Sequence, residues 1–121
     1  MVWFASLFRP KIVLIEQVKG LLTARGHAEE KGEVFEMLIS DPEKLGYIPK
    51  WQVFNSASYG VSQQRQRVAI VETQKPSGFQ FPKPIHRASG QHPSLFPFHP
   101  CVGIGTAISG LGAPSAKNGK Q

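Results

Sequence analysis

The sequence predicts an α/β fold of about three strands and one main helix, followed by an irregular Pro/Gly-rich tail. Three observations predict it. A continuous apolar, β-branched run occupies 12–15; apolar residues recur at helical spacing between 29 and 39; two more apolar runs stand at 51–54 and 68–71. Strand, helix, strand and a nearby strand make the second half of a doubly wound sheet.

Ile12-Val13-Leu14-Ile15 suits a strand buried on both faces, as in a parallel sheet. Glu16 follows at its carboxyl end, where open α/β sheets bind ligands, and Gly20 permits a turn. In the helix, Val34, Phe35, Leu38 and Ile39 make one apolar face. Glu29, Glu30 and Glu33 lie near its start, where the helix dipole favours acids. Asp41-Pro42 is expected to stop it, because the residue before a proline avoids helical geometry. Leu45-Gly46-Tyr47 carries the chain round to the second strand, and 55–66 separates the last two. A core this thin has little apolar area to set against chain entropy, so marginal stability is expected.

The chain changes character near Lys75. Residues 1–74 hold nine Lys/Arg and all eight Asp/Glu, whereas 75–121 hold five Lys/Arg and no acid. Seven of the ten prolines and seven of the twelve glycines also follow Lys75, which argues for loops. The chain therefore divides into an α/β part, 1–74, and an irregular basic part, 75–121. An acid-free basic segment reads first as a solvated end, and it can also meet a polyanion such as DNA. The apolar start at 1–8 lacks the basic residues and cleavage site of a secretory signal, and reads as interior sequence. There is no apolar run long enough for a membrane span. The single cysteine, Cys101, excludes an internal disulfide framework and suits a reducing, intracellular compartment.

Two stretches give the α/β part an identity. Arg9-Pro10-Lys11-Ile12-Val13-Leu14-Ile15-Glu16-Gln17-Val18-Lys19-Gly20-Leu21-Leu22 is similar to the Glu-Asn-Val-x-Gly-Leu motif of DNA (cytosine-5) methyltransferases, with its preceding Pro-Lys and apolar strand. Tyr59-Gly60-Val61-Ser62-Gln63-Gln64-Arg65-Gln66-Arg67 resembles that family's Tyr-Gly-Val-Pro-Gln-x-Arg-x-Arg motif, and Val68-Ala69-Ile70-Val71 its next strand. Leu45-Gly46-Tyr47 and Val53-Phe54-Asn55-Ser56-Ala57 look like the linking segment. The resemblance covers 9–72, with a weaker echo at Thr106-Ala107-Ile108-Ser109-Gly110-Leu111. Two departures stand out: Gln17 replaces the family's Asn, and Ser62 replaces a proline and its fixed dihedral.

The resemblance implies part of a Rossmann-like sheet that uses S-adenosylmethionine to methylate carbon 5 of a cytosine flipped out of DNA. Cytosine accepts a thiolate only when its ring nitrogen is protonated or strongly hydrogen-bonded. A carboxyl group whose pKa is raised by burial can supply that proton. By resemblance Glu16 is this acid, holding the ring nitrogen and amino group. Arg67 pairs with the carboxylate and reaches the base carbonyl. Gln17, Val18, Gln63 and Arg65 form or support the pocket. On an extended chain Gln63, Arg65 and Arg67 share one face. Without the motifs, Glu16 reads as the start of a solvent-exposed turn, and Arg65 and Arg67 as solvated strand-edge charges.

The absences matter as much. The resemblance requires an aromatic-Gly-x-Gly donor turn and a Pro-Cys-Gln nucleophile loop ahead of Glu16, and the 121 residues contain neither. Cys101 follows Pro100, but Val102 replaces Gln and the order is wrong, so it reads as an incidental thiol. Gly103-Ile104-Gly105 lacks a dinucleotide fingerprint and is expected to be a loop. His86, His92, His99 and Cys101 fit no zinc-finger spacing and are expected to be flexible surface residues. Phe79, Phe81, Phe96 and Phe98 interleave with Pro and basic residues; such a mix can contact nucleic acid, though docking onto a further domain is the stronger expectation. The chain is thus expected to be a fragment of a DNA (cytosine-5-)-methyltransferase, inactive alone and partnered by DNA and by the remainder of such an enzyme. A non-catalytic DNA-binding or scaffolding remnant, or a truncated product with no function of its own, are the alternatives.

Overall fold

The computed structural model describes residues 2–76, 78–87 and 98–112. His92, Phe96 and the basic segment beyond 112 lie outside the described residues. In chain order the elements are α1 (Val2–Phe8), β1 (Ile12–Val18), a 3-10 turn (Lys19–Thr23), α2 (Glu33–Lys44), β2 (Ile48–Asn55), a second 3-10 turn (Ser56–Tyr59), β3 (Gln66–Thr73), β4 (His86–Arg87), β5 (His99–Pro100) and α3 (Ile104–Ile108).

The main sheet has the order β1-β3-β2. β3 is antiparallel to both neighbours, with Glu16 opposite Ala69, Val18 opposite Arg67 and Phe54 opposite Arg67. This corrects the expectation of a strand buried on both faces in a parallel sheet. A parallel neighbour needs a long crossover, whereas the short 56–65 connection returns β3 beside β2 in the opposite direction. β3 then lies between β1 and β2 and leaves β1 at the edge, where Ile12 and Leu14 are 63% and 69% exposed.

Strand alternation sorts the side chains onto two faces. One carries Ile15, Val53, Val68 and Ile70, and packs with Leu21, Leu22, Val34, Phe35, Leu38 and Ile39. The ring of Trp51 meets Phe35 edge-on at 5.0 Å, fixing α2 across β2. The opposite face carries Ile12, Leu14, Glu16 and Val18 of β1 with Arg67, Ala69 and Val71 of β3.

α2 differs from expectation at both ends. It starts at Glu33, after Gly32 in the left-handed conformation (φ 89°), so Glu29 and Glu30 lie in the preceding loop. The Glu33 carboxylate accepts from Gly26 N at 3.1 Å and from Ala28 N at 3.0 Å, closing that loop. At the other end α2 runs through Asp41-Pro42 to Lys44. A proline in the last turn forfeits one helical bond. Here its ring is almost fully buried, and its carbonyl accepts from Leu45 N and Tyr47 N at 2.9 and 3.1 Å. Tyr47, 2% exposed, donates its hydroxyl to Pro10 O at 2.7 Å, while Gln74 Nε2 donates to Arg9 O at 2.9 Å. These bonds tie the entry of β1 to the exit of β3 and the turn after α2.

α1 was not signalled by the sequence. Ala5 is buried, while Trp3, Phe4, Leu7 and Phe8 are exposed. The tail is more regular than expected: β4 and β5 pair in parallel, and Gly103 opens a short helix, not a loop.

Glu72 sits 1% exposed on β3 with Oε1 unpaired, and burial pushes its pKa from 4.5 up to about 7. The folded state therefore holds the proton more tightly than the unfolded chain, and stability falls as pH rises through that window. Unfolding free energies from denaturant titrations are expected to fall as pH rises from 4.5 through about 7 and to level off above. Glu72→Gln should flatten that dependence and stabilise the chain at pH 8.

Candidate functional site

Two strands bring the candidate acid and its cation together. Glu16 in β1 and Arg67 in β3 lie on the open face as a diagonal pair two residues out of register, because Arg67 faces Val18 and Glu16 faces Ala69. Arg67 Nε donates to Glu16 Oε1 at 2.8 Å, and its Nη1 donates to Gln66 O at 2.9 Å. The guanidinium is thus held by its own strand and by the carboxylate. The arginine side chain is 22% exposed and the glutamate 63%. The expected desolvation of Glu16 is therefore absent: its strand is an edge strand, and the carboxylate meets solvent and a cation instead of an apolar wall. Such a pair can present an acceptor oxygen and guanidinium N–H groups to one planar polar ligand.

The remaining expected site residues divide. Val18 shares the face of Glu16 and Arg67, while Gln17, opposite Val68, points to the other face. Gln63 and Arg65 precede β3 and are exposed. The chain bends at Ser62 and Gln63, so the extended alternation does not run from Gln63 through to Arg67.

A residue not singled out from sequence holds this loop. Ser56 Oγ donates to Gln63 O at 2.6 Å, Ser56 N to Arg65 O at 3.1 Å, and Ser56 O accepts from Val61 N at 3.2 Å. Asn55 Oδ1 caps the turn by accepting from Ala57 N at 3.3 Å. Gly60 ends it with φ 88°, a left-handed conformation that favours glycine. An Asn-Ser pair opening a tight turn is a sequence signal that could have found this clasp.

Residues 79–82 cross the open face as a strap. Phe54 meets Tyr59 and Phe81 at 5.4 Å each, and Phe79 meets Phe81 at 5.0 Å. Lys50 Nζ donates to Phe79 O at 2.8 Å, and Tyr59 Oη to Pro82 O at 2.9 Å. Burial raises the Tyr59 pKa above its ordinary value. Phe79 and Phe81 therefore dock on this chain's own sheet, not on a further domain as expected, while Phe98 lies beneath the Arg87 guanidinium. Under the strap is a hollow lined by Ile12, Leu14, Phe54, Ala69, Val71, Thr73, Phe79 and Phe81. Among the described residues that line it Thr73 is the only polar side chain and none is a carboxylate, so they do not fit the ribose and ammonium of S-adenosylmethionine.

Cys101 Sγ donates to Ala57 O at 3.4 Å, beside the 61–64 loop. His99 is exposed and His86 half-buried, and the two are register partners with ring centroids 5.5 Å apart. Among the described residues no three His, Cys, Asp or Glu side chains converge to hold a metal ion, and no helix is long and apolar enough to cross a membrane.

Comparison with known proteins matches residues 4–97 to the family described as C-5 cytosine-specific DNA methylase. The chain is 37% identical over 117 residues to the type II methyltransferase M.NgoFVII of Neisseria gonorrhoeae, covering 95% of this chain and 29% of that protein. It is 38% identical to M.DsaV of Dactylococcopsis salina over 64% of this chain and 22% of that one. DNA (cytosine-5)-methyltransferase 2 of Arabidopsis thaliana is 33% identical over 69% of this chain and 5% of its own length. The chain thus spans less than a third of each of these relatives.

Removing the Arg67 charge should cost little stability, because Glu16 can return to water. Arg67→Met is expected to shift the unfolding free energy by no more than about 1 kcal/mol, measured by denaturant titration. A loss several times larger would mean that the pair is a folding element and not an open site.

Proposed function

Since the chain belongs to the C-5 cytosine-specific DNA methylase family, we propose that it supplies the base-holding half of a DNA (cytosine-5-)-methyltransferase site. The observation that carries this reading is the 2.8 Å pair between Arg67 Nε and Glu16 Oε1. In this role the Glu16 carboxyl carries a proton as the base enters, donates it to the ring nitrogen of a cytosine taken out of the duplex and accepts from the amino group, while Arg67 orients the carboxyl and reaches the base carbonyl. Holding the ring nitrogen makes the ring electrophilic enough for a thiolate to add. Val18 borders the base, while Gln63 and Arg65 meet the DNA backbone beside it. Gln17, on the opposite face, supports the strand and not the pocket.

S-adenosylmethionine supplies the methyl group in this proposal. The 121 residues hold no Gly-rich turn for it and no Pro-Cys-Gln loop, and Cys101 is engaged with Ala57. Donor and nucleophile therefore come from the remainder of such an enzyme, and the chain alone is inactive. The open apolar face supports this division, because Ile12, Leu14 and Val18 expose surface of the kind that a larger fold covers. The same absences favour one second reading, a non-catalytic DNA-binding or scaffolding remnant, with the acid-free 75–121 segment contacting phosphates.

A mixing experiment separates the two. The chain is combined with a recombinant segment carrying the donor turn and nucleophile loop, and methyl transfer from S-adenosylmethionine to DNA is scored. Transfer is expected in the mixture, none from the chain alone, and a loss of about a hundredfold or more with Glu16→Gln. No transfer from two folded pieces would favour the remnant.

A further inference from the structure

The Gly60 turn leads directly into the loop that carries Gln63 and Arg65, which Ser56 already ties at its base. The tail adds a second hold through His86. A Cβ placed on Gly60 would lie 3.0 Å from His86 Nε2, so the imidazole sits against the bare glycine backbone. The other ring nitrogen, Nδ1, is 2.9 Å from Pro100 O and donates to that carbonyl. One side chain therefore spans from the turn to the segment at 98–101.

The backbone around it is built to match. Ile85 N donates to Ser58 O at 3.0 Å, joining the strap to the same turn. His99 N donates to Ile85 O at 2.9 Å and Cys101 N to Arg87 O at 3.2 Å, laying β5 beside β4. Cys101 Sγ returns to the turn at Ala57 O, 3.4 Å away. The hollow between them is lined by Val61, Ser62, Gln63 and Gln64 on one side and Cys101 to Ile104 on the other. Strap, turn and tail thus form one layer, with His86 at its centre.

We propose that His86 is a positioning residue: by clasping the Gly60 turn to Pro100, it holds the loop bearing Gln63 and Arg65 in the geometry in which it meets DNA. The DNA contact rests on the function proposed above; the clasp rests on the contacts alone. Gly60 has a double reason to be glycine, since its φ of 88° is strained for other residues and a methyl group would press on the ring.

The test uses the full chain and reads two things separately. Amide hydrogen exchange is followed at Val61, His99 and Cys101, and affinity is measured for a short DNA duplex at low salt. His86→Ala should speed exchange at these three amides about tenfold or more while the β3 core amides keep their protection. DNA affinity should fall severalfold. His86→Asn keeps an N–H near the position of Nδ1 and should restore most of both. Unchanged exchange at Val61 in His86→Ala would overturn the clasp. Faster exchange with unchanged affinity would overturn its role in positioning the loop. If the unaltered chain binds no DNA, the proposed function fails, while the exchange result still decides the clasp.

Discussion

A strand hydrogen-bonded along both edges must satisfy two registers at once, and β3 does so from Gln66 to Thr73. That constraint determines the rest. It places Val68 and Ile70 at the bottom of the core and turns Arg67 and Ala69 to the opposite face. It sets Arg67 between Val18 and Phe54, within reach of Glu16 on one side and beside the ring that meets the strap on the other. A slip of one residue would send Arg67 toward α2 and leave Glu16 without its cation. The chemistry at the site therefore depends on the stability of the sheet centre.

The two faces of the sheet carry different duties. The covered face is a small core closed by α2 and the first 3-10 turn, with one costly feature in the buried carboxyl of Glu72. The open face is partly covered by the 79–82 strap, in which Phe81 meets Phe54, Phe79 O accepts from Lys50 and Pro82 O accepts from Tyr59. Ile12 and Leu14, which line the hollow under the strap, remain exposed and apolar. Glu16 and Arg67 interrupt that apolar surface, and an exposed ion pair stands ready to exchange partners with a planar polar ligand.

Much of this was legible in the sequence where the signal is local. The run Ile12-Val13-Leu14-Ile15, the apolar spacing of Val34, Phe35, Leu38 and Ile39, and the later runs at 51–54 and 68–71 each mark a real element. What was not legible is set by distant partners. An apolar run does not say whether its strand is central or at the edge, so the exposure of Leu14 and of Glu16 was missed. Pro42 read as a stop, yet burial of its ring and two bonds to its carbonyl let α2 pass through it. The alternation of Gln63, Arg65 and Arg67 presumed an extended chain, whereas the chain bends at Ser62 and Gln63 and Ser56 closes the loop there. His86 looked like a surface histidine because its partners, Gly60 and Pro100, are far away in sequence. The two motifs located Glu16 and Arg67, but only the antiparallel register shows them in contact.

The most direct measurement is nitrogen-15 NMR of the Arg67 side chain in the full chain, with and without Glu16→Gln. A distinct, slowly exchanging Nε–H resonance is expected for Arg67, moving to the position of a solvated arginine in the variant while the Val68 and Ile70 amides stay unchanged. An Arg67 Nε–H that is indistinguishable in the two proteins would contradict the pairing on which the site is built.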